Sequence, residues 1–143
     1  MVSEETVNRV YEEALAFVED LMGKDTTTSN HELDKCGRAL FGDMYAGALP
    51  PSQLPPPAPH QVLILNTKGG VGEHWLLRYC DANRGLWYDS FGRDVSGLVR
   101  TKYVRASTDG DAEQNILESN CGQRCLAAAI VGRLLGAEAL QKL

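Results

Sequence analysis

The segment from Leu126 to Leu135 restricts the fold more than any other part of the sequence, because it is almost wholly apolar. Leu126, Ile130 and Leu134 recur at helical spacing with alanines between the first two, which predicts an α-helix. Gly136 supplies a C-terminal stop signal. Other elements must cover a helix this apolar, so we expect the chain to fold around it.

Cys121 lies at the predicted start of this helix. Asn120 is a suitable N-cap, because its side-chain oxygen can accept hydrogen bonds from the free N–H groups of the first turn. The partial positive charge at a helix N-terminus favours the thiolate, which is the nucleophilic form of cysteine. Cys121 is therefore a candidate nucleophile. The alternative is a small buried core residue, the usual role of a free cysteine, and Cys125 one turn later fits that role.

Length and charge set the broad class of the protein. The 143 residues predict a single domain, 1–143, with a sizeable core, and the net charge of −5 argues against general nucleic-acid binding. No signal peptide is visible and the apolar stretches are too short to span a bilayer, so we expect no membrane contact. Four cysteines without a CxxC pair predict free thiols in a reducing intracellular compartment. They indicate no zinc site, and we expect no cofactor.

The N-terminal part is predicted to be helical. Residues 1–28 are interpreted as a helical extension, with an amphipathic helix over 3–22 that begins after Ser3 and ends at Gly23. Ser29 and Glu32 then have the spacing of a capping box, ahead of a short helix to about Leu40. The predicted apolar stripe of the first helix consists of Val7, Val10, Ala14, Val18 and Leu21.

The middle of the chain is predicted to form a loop, a connector and several strands. Residues 41–49 are predicted to be a loop, and the proline-rich residues 49–60 a stiff extended connector; a docking segment for other domains is the alternative. Residues 61–67 form a continuous apolar run, typical of a buried strand. Two more strands are predicted over 74–81 and 86–91, with Gly85 in a left-handed turn position, and a short one over 102–105. The predicted fold is α+β, with a small central mixed or antiparallel sheet packed by helices.

A cysteine nucleophile needs a base, and the base needs a partner that fixes its tautomer. His74 opens a predicted strand after a glycine-rich loop, and Asp89 lies on the next strand among bulky side chains. Across a hairpin the two can lie close together, which makes them the candidate base and its orienting partner for Cys121. The backbone N–H of Cys121 and the side-chain amide of Gln114 are candidate oxyanion donors.

Several short motifs occur in a fixed order over roughly residues 29–135. They are Phe41-Gly42 with Tyr45, Val62 to Thr67, Gly72-Glu73-His74-Trp75, Tyr88-Asp89-Ser90-Phe91-Gly92, Gln114, and Asn120-Cys121-Gly122 followed by Cys125. With these motifs the chain resembles the adenovirus-type (adenain-like) cysteine endopeptidases, which are related to the SUMO and ubiquitin-like-protein proteases.

The resemblance implies a papain-like site arrangement in an adenain-like fold. In it Cys121 is the nucleophile, His74 the base and Asp89 its orienting partner, and Gln114 and the Cys121 N–H are the oxyanion donors. It also implies that Gly72, Trp75 and Asn120 bind substrate, Trp75 as a wall of the groove that holds substrate glycines. The implied function is a viral maturation protease that cleaves capsid or core precursor proteins at glycine-containing sites, in the virion and the infected host cell.

Two features of the chain bear on activation. The family attaches a peptide activator by a disulfide to a cysteine ahead of the glutamine, and residues 102–113 contain no cysteine, so any peptide activator is expected to bind non-covalently. The family also uses DNA as a cofactor, and a net charge of −5 does not favour DNA binding.

Two alternatives to the viral maturation protease stay open: a protease that removes ubiquitin-like tails, and a non-catalytic assembly or binding module on the same fold.

Overall fold

A computed structural model describes residues 2–23, 29–66, 75–88, 104–106 and 121–143. The helices are α1 (Glu4–Met22), α2 (Asn30–Phe41) and α3 (Cys121–Leu135), and the strands are β1 (Tyr45–Leu49), β2 (Gln61–Asn66), β3 (Trp75–Cys80), β4 (Gly85–Tyr88) and β5 (Val104–Ala106). Short 3₁₀ helices cover Gly42–Met44, Pro51–Gln53 and Ala137–Lys142. None of the helices in these ranges combines the length and the apolar character needed to cross a bilayer.

The five strands form one mixed sheet in the order β1-β2-β3-β4-β5. β3 runs antiparallel to both of its neighbours, with Leu65 opposite Leu76 and Leu77 opposite Tyr88. The two outer pairs, β1 with β2 and β4 with β5, are parallel. The predicted class, an α+β fold with a small mixed sheet packed by helices, is confirmed at this level.

Both predicted N-terminal helices form, and local side chains fix where they start. The Ser3 hydroxyl accepts from the backbone N–H of Thr6 at 3.1 Å. Ser29 and Glu32 make the reciprocal capping box: the Glu32 N–H donates to the Ser29 hydroxyl at 3.2 Å, and the Ser29 N–H donates to the Glu32 carboxylate at 3.3 Å. These bonds satisfy N–H groups that have no partner within the helix.

Strands β2, β3 and β4 are buried on both faces of the sheet. We call the side covered by the helices the helix-side core; its sheet residues include Val62, Ile64, Trp75, Leu77, Tyr79, Leu86 and Tyr88. The opposite face carries a smaller apolar cluster made of Leu63, Leu65, Leu76, Cys80 and Trp87, against which Leu49 and Leu54 pack. Since successive side chains of a strand point to opposite faces, strands buried on both faces are apolar throughout, which explains the continuous apolar run of β2.

The proline-rich connector covers part of this second face. Arg78 points there from the middle of β3, with only 1% of its surface exposed, and its guanidinium donates to the Pro55 carbonyl at 3.0 Å and to the Gln61 side chain at 2.6 Å. Its guanidinium carbon also lies 5.8 Å from the centre of the Trp87 ring. Burial lowers the pKa of Arg78. The connector is therefore tied to the sheet through the Pro55 carbonyl.

Three expectations were wrong. Residues 45–49 are not a loop but strand β1, because they pair in parallel with β2, and the local sequence gives no sign of that pairing. The register of this pairing shifts between Tyr45 and Gly47, and Gly47 has a φ of 129°. The buried stripe of α1 consists of Val7, Tyr11, Ala14 and Val18, whereas Leu21 is 56% exposed. Gly85 is the first residue of β4 and pairs with Cys80, rather than adopting a left-handed turn conformation.

Candidate active site at the start of helix α3

Helix α3 is the central helix of the described structure, as its apolar sequence predicted. Every residue from Cys121 to Ala129 is buried. One side of the helix contacts α1, where Arg124 meets Tyr11, and another contacts β3, where Gly132 lies against Tyr79. Gly136, with a φ of 93°, follows the end of the helix, and its N–H donates to the Gly132 carbonyl at 2.8 Å.

Cys121 is the first residue of α3, as predicted, and 7% of its surface is exposed. One turn later, the fully buried Cys125 thiol donates to the backbone carbonyl of Trp75 at 3.3 Å. Trp75 is the first residue of β3. This bond joins the second turn of the cysteine helix to the start of the central strand, so the two elements that carry sequence-predicted site residues are in contact.

The first turn of α3 is held by polar side chains that reach α1. The Gln123 amide donates to the Gly23 carbonyl at 3.0 Å, at the C-terminal end of α1. The Arg124 guanidinium donates to the Tyr11 hydroxyl at 3.0 Å. Both of these α3 residues are buried: Gln123 has no exposed surface, and Arg124 is 9% exposed. Buried polar groups are stable only when they are hydrogen-bonded, so these contacts fix how the start of α3 sits on α1.

The Tyr11 hydroxyl has a second partner, the hydroxyl of Tyr88, which donates to it at 3.0 Å. The two rings lie 6.2 Å apart at an angle of 58°. Tyr88 is the last residue of β4. Sequence reasoning missed this group, although an arginine in an otherwise apolar helix was a visible signal.

Two sequence-predicted site residues, Cys121 and Trp75, lie within the described residues. Trp75 belongs to the helix-side core and is 1% exposed, so in the described structure it packs the interior, and its predicted groove role stays a prediction. The other predicted site residues lie outside the described residues: Gly72, His74, Asp89, Gln114 and Asn120.

Asp81, a carboxylate at the far end of β3 from Trp75, has a structural role. One oxygen accepts from the N–H groups of Asn83 and Arg84 at 2.8 and 2.9 Å, and the other accepts from the N–H of Ala137 at 3.1 Å. Burial raises the pKa of Asp81, but these hydrogen bonds and the Arg84 charge outweigh it, so the net pKa is lowered. Asp81 therefore joins the β3–β4 turn to the C-terminal 3₁₀ helix.

All four cysteines carry free thiols and are buried. Burial raises the pKa of Cys36, on α2, and raises that of Cys80, on β3, to about 11, although the Arg78 charge lowers the latter in part. A raised pKa keeps a thiol protonated and unreactive at neutral pH. Cys36 and Cys80 are therefore packing residues.

Within the described ranges, no three His, Cys, Asp or Glu side chains come together in a way that could hold a metal ion. No family model, curated protein or solved structure matches the chain.

Proposed function

We propose that this protein is a cysteine endopeptidase with Cys121 as its nucleophile. The observation that carries the proposal is the position of Cys121 as first residue of a buried helix whose next turn is bonded to Trp75. A helix N-terminus carries partial positive charge and free N–H groups, which favour a thiolate and can donate to an oxyanion.

The neighbours of the described residues supply the rest of the proposed site. His74 is covalently next to Trp75, whose carbonyl contacts the Cys125 thiol. Asp89 is covalently next to Tyr88, which pairs with Leu77 on β3. The Tyr88 hydroxyl donates to Tyr11 on α1, and Tyr11 also accepts from Arg124 in the first turn of α3. We take His74 and Asp89 as the proposed base and its orienting partner.

The proposed reaction is peptide-bond hydrolysis in two steps. His74 takes the proton of the Cys121 thiol, and the sulfur adds to the scissile carbonyl carbon. Gln114 and the Cys121 N–H donate to the oxyanion, and His74 returns the proton to the leaving amine as the C–N bond breaks. Water, deprotonated by His74, then hydrolyses the thioester and regenerates the thiol. Asp89 orients His74 and stabilises its charged form.

The resemblance of the motifs to the adenain-like proteases supports a finer version of the proposal. In that version the fold is adenain-like, and the substrates are viral capsid or core precursors cut at glycine-containing sites. The protein would act in the virion and the infected cell, and any peptide activator would bind without a disulfide. Gly72 and Asn120 would contact substrate.

The proposal is tested with a library of internally quenched peptides that carry a fixed Gly-Gly pair. We expect the wild-type chain to cleave members of the library and Cys121→Ala to cleave none, because the proposed thioester forms on the Cys121 sulfur. Cys36→Ser is the matched control, since Cys36 is 8% exposed against 7% for Cys121 and lies on α2. Cleavage that survives in Cys121→Ala, after contaminating protease has been excluded, would refute the assignment.

A further inference from the structure

The buried stripe of α1 contains one residue that an apolar stripe does not need. Tyr11 is 3% exposed and lies in register with Val7, Ala14 and Val18. Its ring fills the helix-side core as a phenylalanine would, but its hydroxyl must also be satisfied, because an unpaired buried hydroxyl is costly. The oxygen accepts two hydrogen bonds, from Arg124 and from Tyr88.

These two donors belong to different elements of the proposed active site. Arg124 lies three residues after Cys121, and residues three apart are neighbours on a helix surface. Tyr88 ends β4, directly before Asp89 in the sequence. The Tyr11 oxygen is thus the common point at which α1 contacts the helix of the proposed nucleophile and the strand that leads to the proposed orienting carboxylate.

The geometry of this contact is restrictive. The guanidinium is planar and rigid, and a phenol oxygen accepts in defined directions, so the two 3.0 Å bonds fix both distance and orientation. A second bond between the same helices, from the Gln123 amide to the Gly23 carbonyl, limits sliding of α3 along α1. Reacting groups must be held in place closely, since a displacement of about 1 Å can cost roughly a hundredfold in rate.

We propose that Tyr11 is a positioning residue for the proposed hydrolysis, and that α1 is part of the catalytic apparatus. Its hydroxyl fixes the position of the first turn of α3, which includes Cys121, relative to the end of β4. This inference rests on the proposed function of Cys121. It assigns a role in turnover to helix α1, which the sequence pattern alone marks only as part of a helical extension.

Tyr11→Phe tests the inference, because it removes the shared acceptor and keeps the ring. The matched control is Tyr45→Phe, which removes a buried tyrosine hydroxyl that donates to Asp34 at 2.9 Å and joins α2 to β1. Both variants are measured by thermal unfolding and by kinetics on the best-cleaved library peptide, well below the unfolding temperature. We expect both to lose some stability, and only Tyr11→Phe to lose kcat, by about tenfold or more, with KM within about twofold.

A second variant examines the coupling. Arg124→Met removes the donor from α3. We expect the double variant Tyr11→Phe/Arg124→Met to have a kcat close to that of the worse single variant, because both changes break the bond between Arg124 and Tyr11. Equal kcat in Tyr11→Phe and Tyr45→Phe, or full additivity in the double variant, would overturn the positioning role. A wild-type chain that cleaves no library peptide would instead refute the proposed function, and the role of Tyr11 with it.

Discussion

Substitution of Gly132 by alanine tests the packing that holds α3 on the sheet. A Cβ at this position would lie 2.7, 2.8 and 2.9 Å from three ring atoms of Tyr79, a buried residue of β3. Overpacking in a core typically costs about 1–3 kcal/mol, and contacts this short with a buried ring favour the upper part of that range, about 2–3 kcal/mol. Alanine gains about 1 kcal/mol over glycine in a helix, so the net loss of stability should be about 1–2 kcal/mol.

Urea unfolding of wild-type and Gly132→Ala protein, followed by circular dichroism, measures this difference. Leu134→Ala is the control on the same helix: Leu134 is 67% exposed, so its replacement should change the unfolding free energy by about 0.5 kcal/mol or less. Gly132→Val should cost more than Gly132→Ala because it adds two carbons to the same contact. If Gly132→Ala stabilised the protein by about 1 kcal/mol, as in an exposed helix, α3 would not lie against Tyr79.

Two further predictions concern single carboxyl and amide groups. Because the fold lowers the pKa of Asp81, the stability that it contributes should be fully present above its unfolded pKa of about 3.9 and be lost as the pH falls through the lower folded pKa. The difference in unfolding free energy between wild type and Asp81→Asn should therefore shrink between pH 5 and acid; a constant difference would contradict the hydrogen-bonding account. Gln114→Ala should lower kcat by roughly a hundred- to a thousandfold at nearly constant KM, if its amide donates to the oxyanion. A kcat within a few-fold of wild type, together with a lower melting temperature, would give Gln114 a purely structural role.

Sequence reasoning located the elements whose signals are local. Ser3 and the Ser29–Glu32 capping box mark helix starts through bonds made within four residues, and the apolar run of β2 marks a strand that is buried on both faces. Strand β1 has no such signal, because its alanines and glycine acquire a ladder only when β2 pairs with them. The sequence of one segment alone does not show which distant segment it will pair with.

The same limit applies to the candidate site. The helical position of Cys121 follows from the sequence, since the helix after it is strongly patterned. The contact between Tyr11 and Arg124 could not be predicted, because it joins residues 113 positions apart and depends on how α1 is rotated on α3. The predicted stripe of α1 placed Leu21 inside, and the structure instead turns Tyr11 inward.

The most direct test of the account compares the chemical reactivity of Cys121 with that of Cys36. The two residues are almost equally covered, at 7% and 8% exposure, so access alone should give them similar alkylation rates. Iodoacetamide at pH 7, with the modified peptides quantified over time by mass spectrometry, measures both rates in one sample of folded protein. If Cys121 is the nucleophile of a protease site, it should react about tenfold faster or more, because the thiolate is the reactive form and burial keeps Cys36 protonated. Equal rates, or faster modification of Cys36, would show that Cys121 is an ordinary core thiol and would contradict the proposed function.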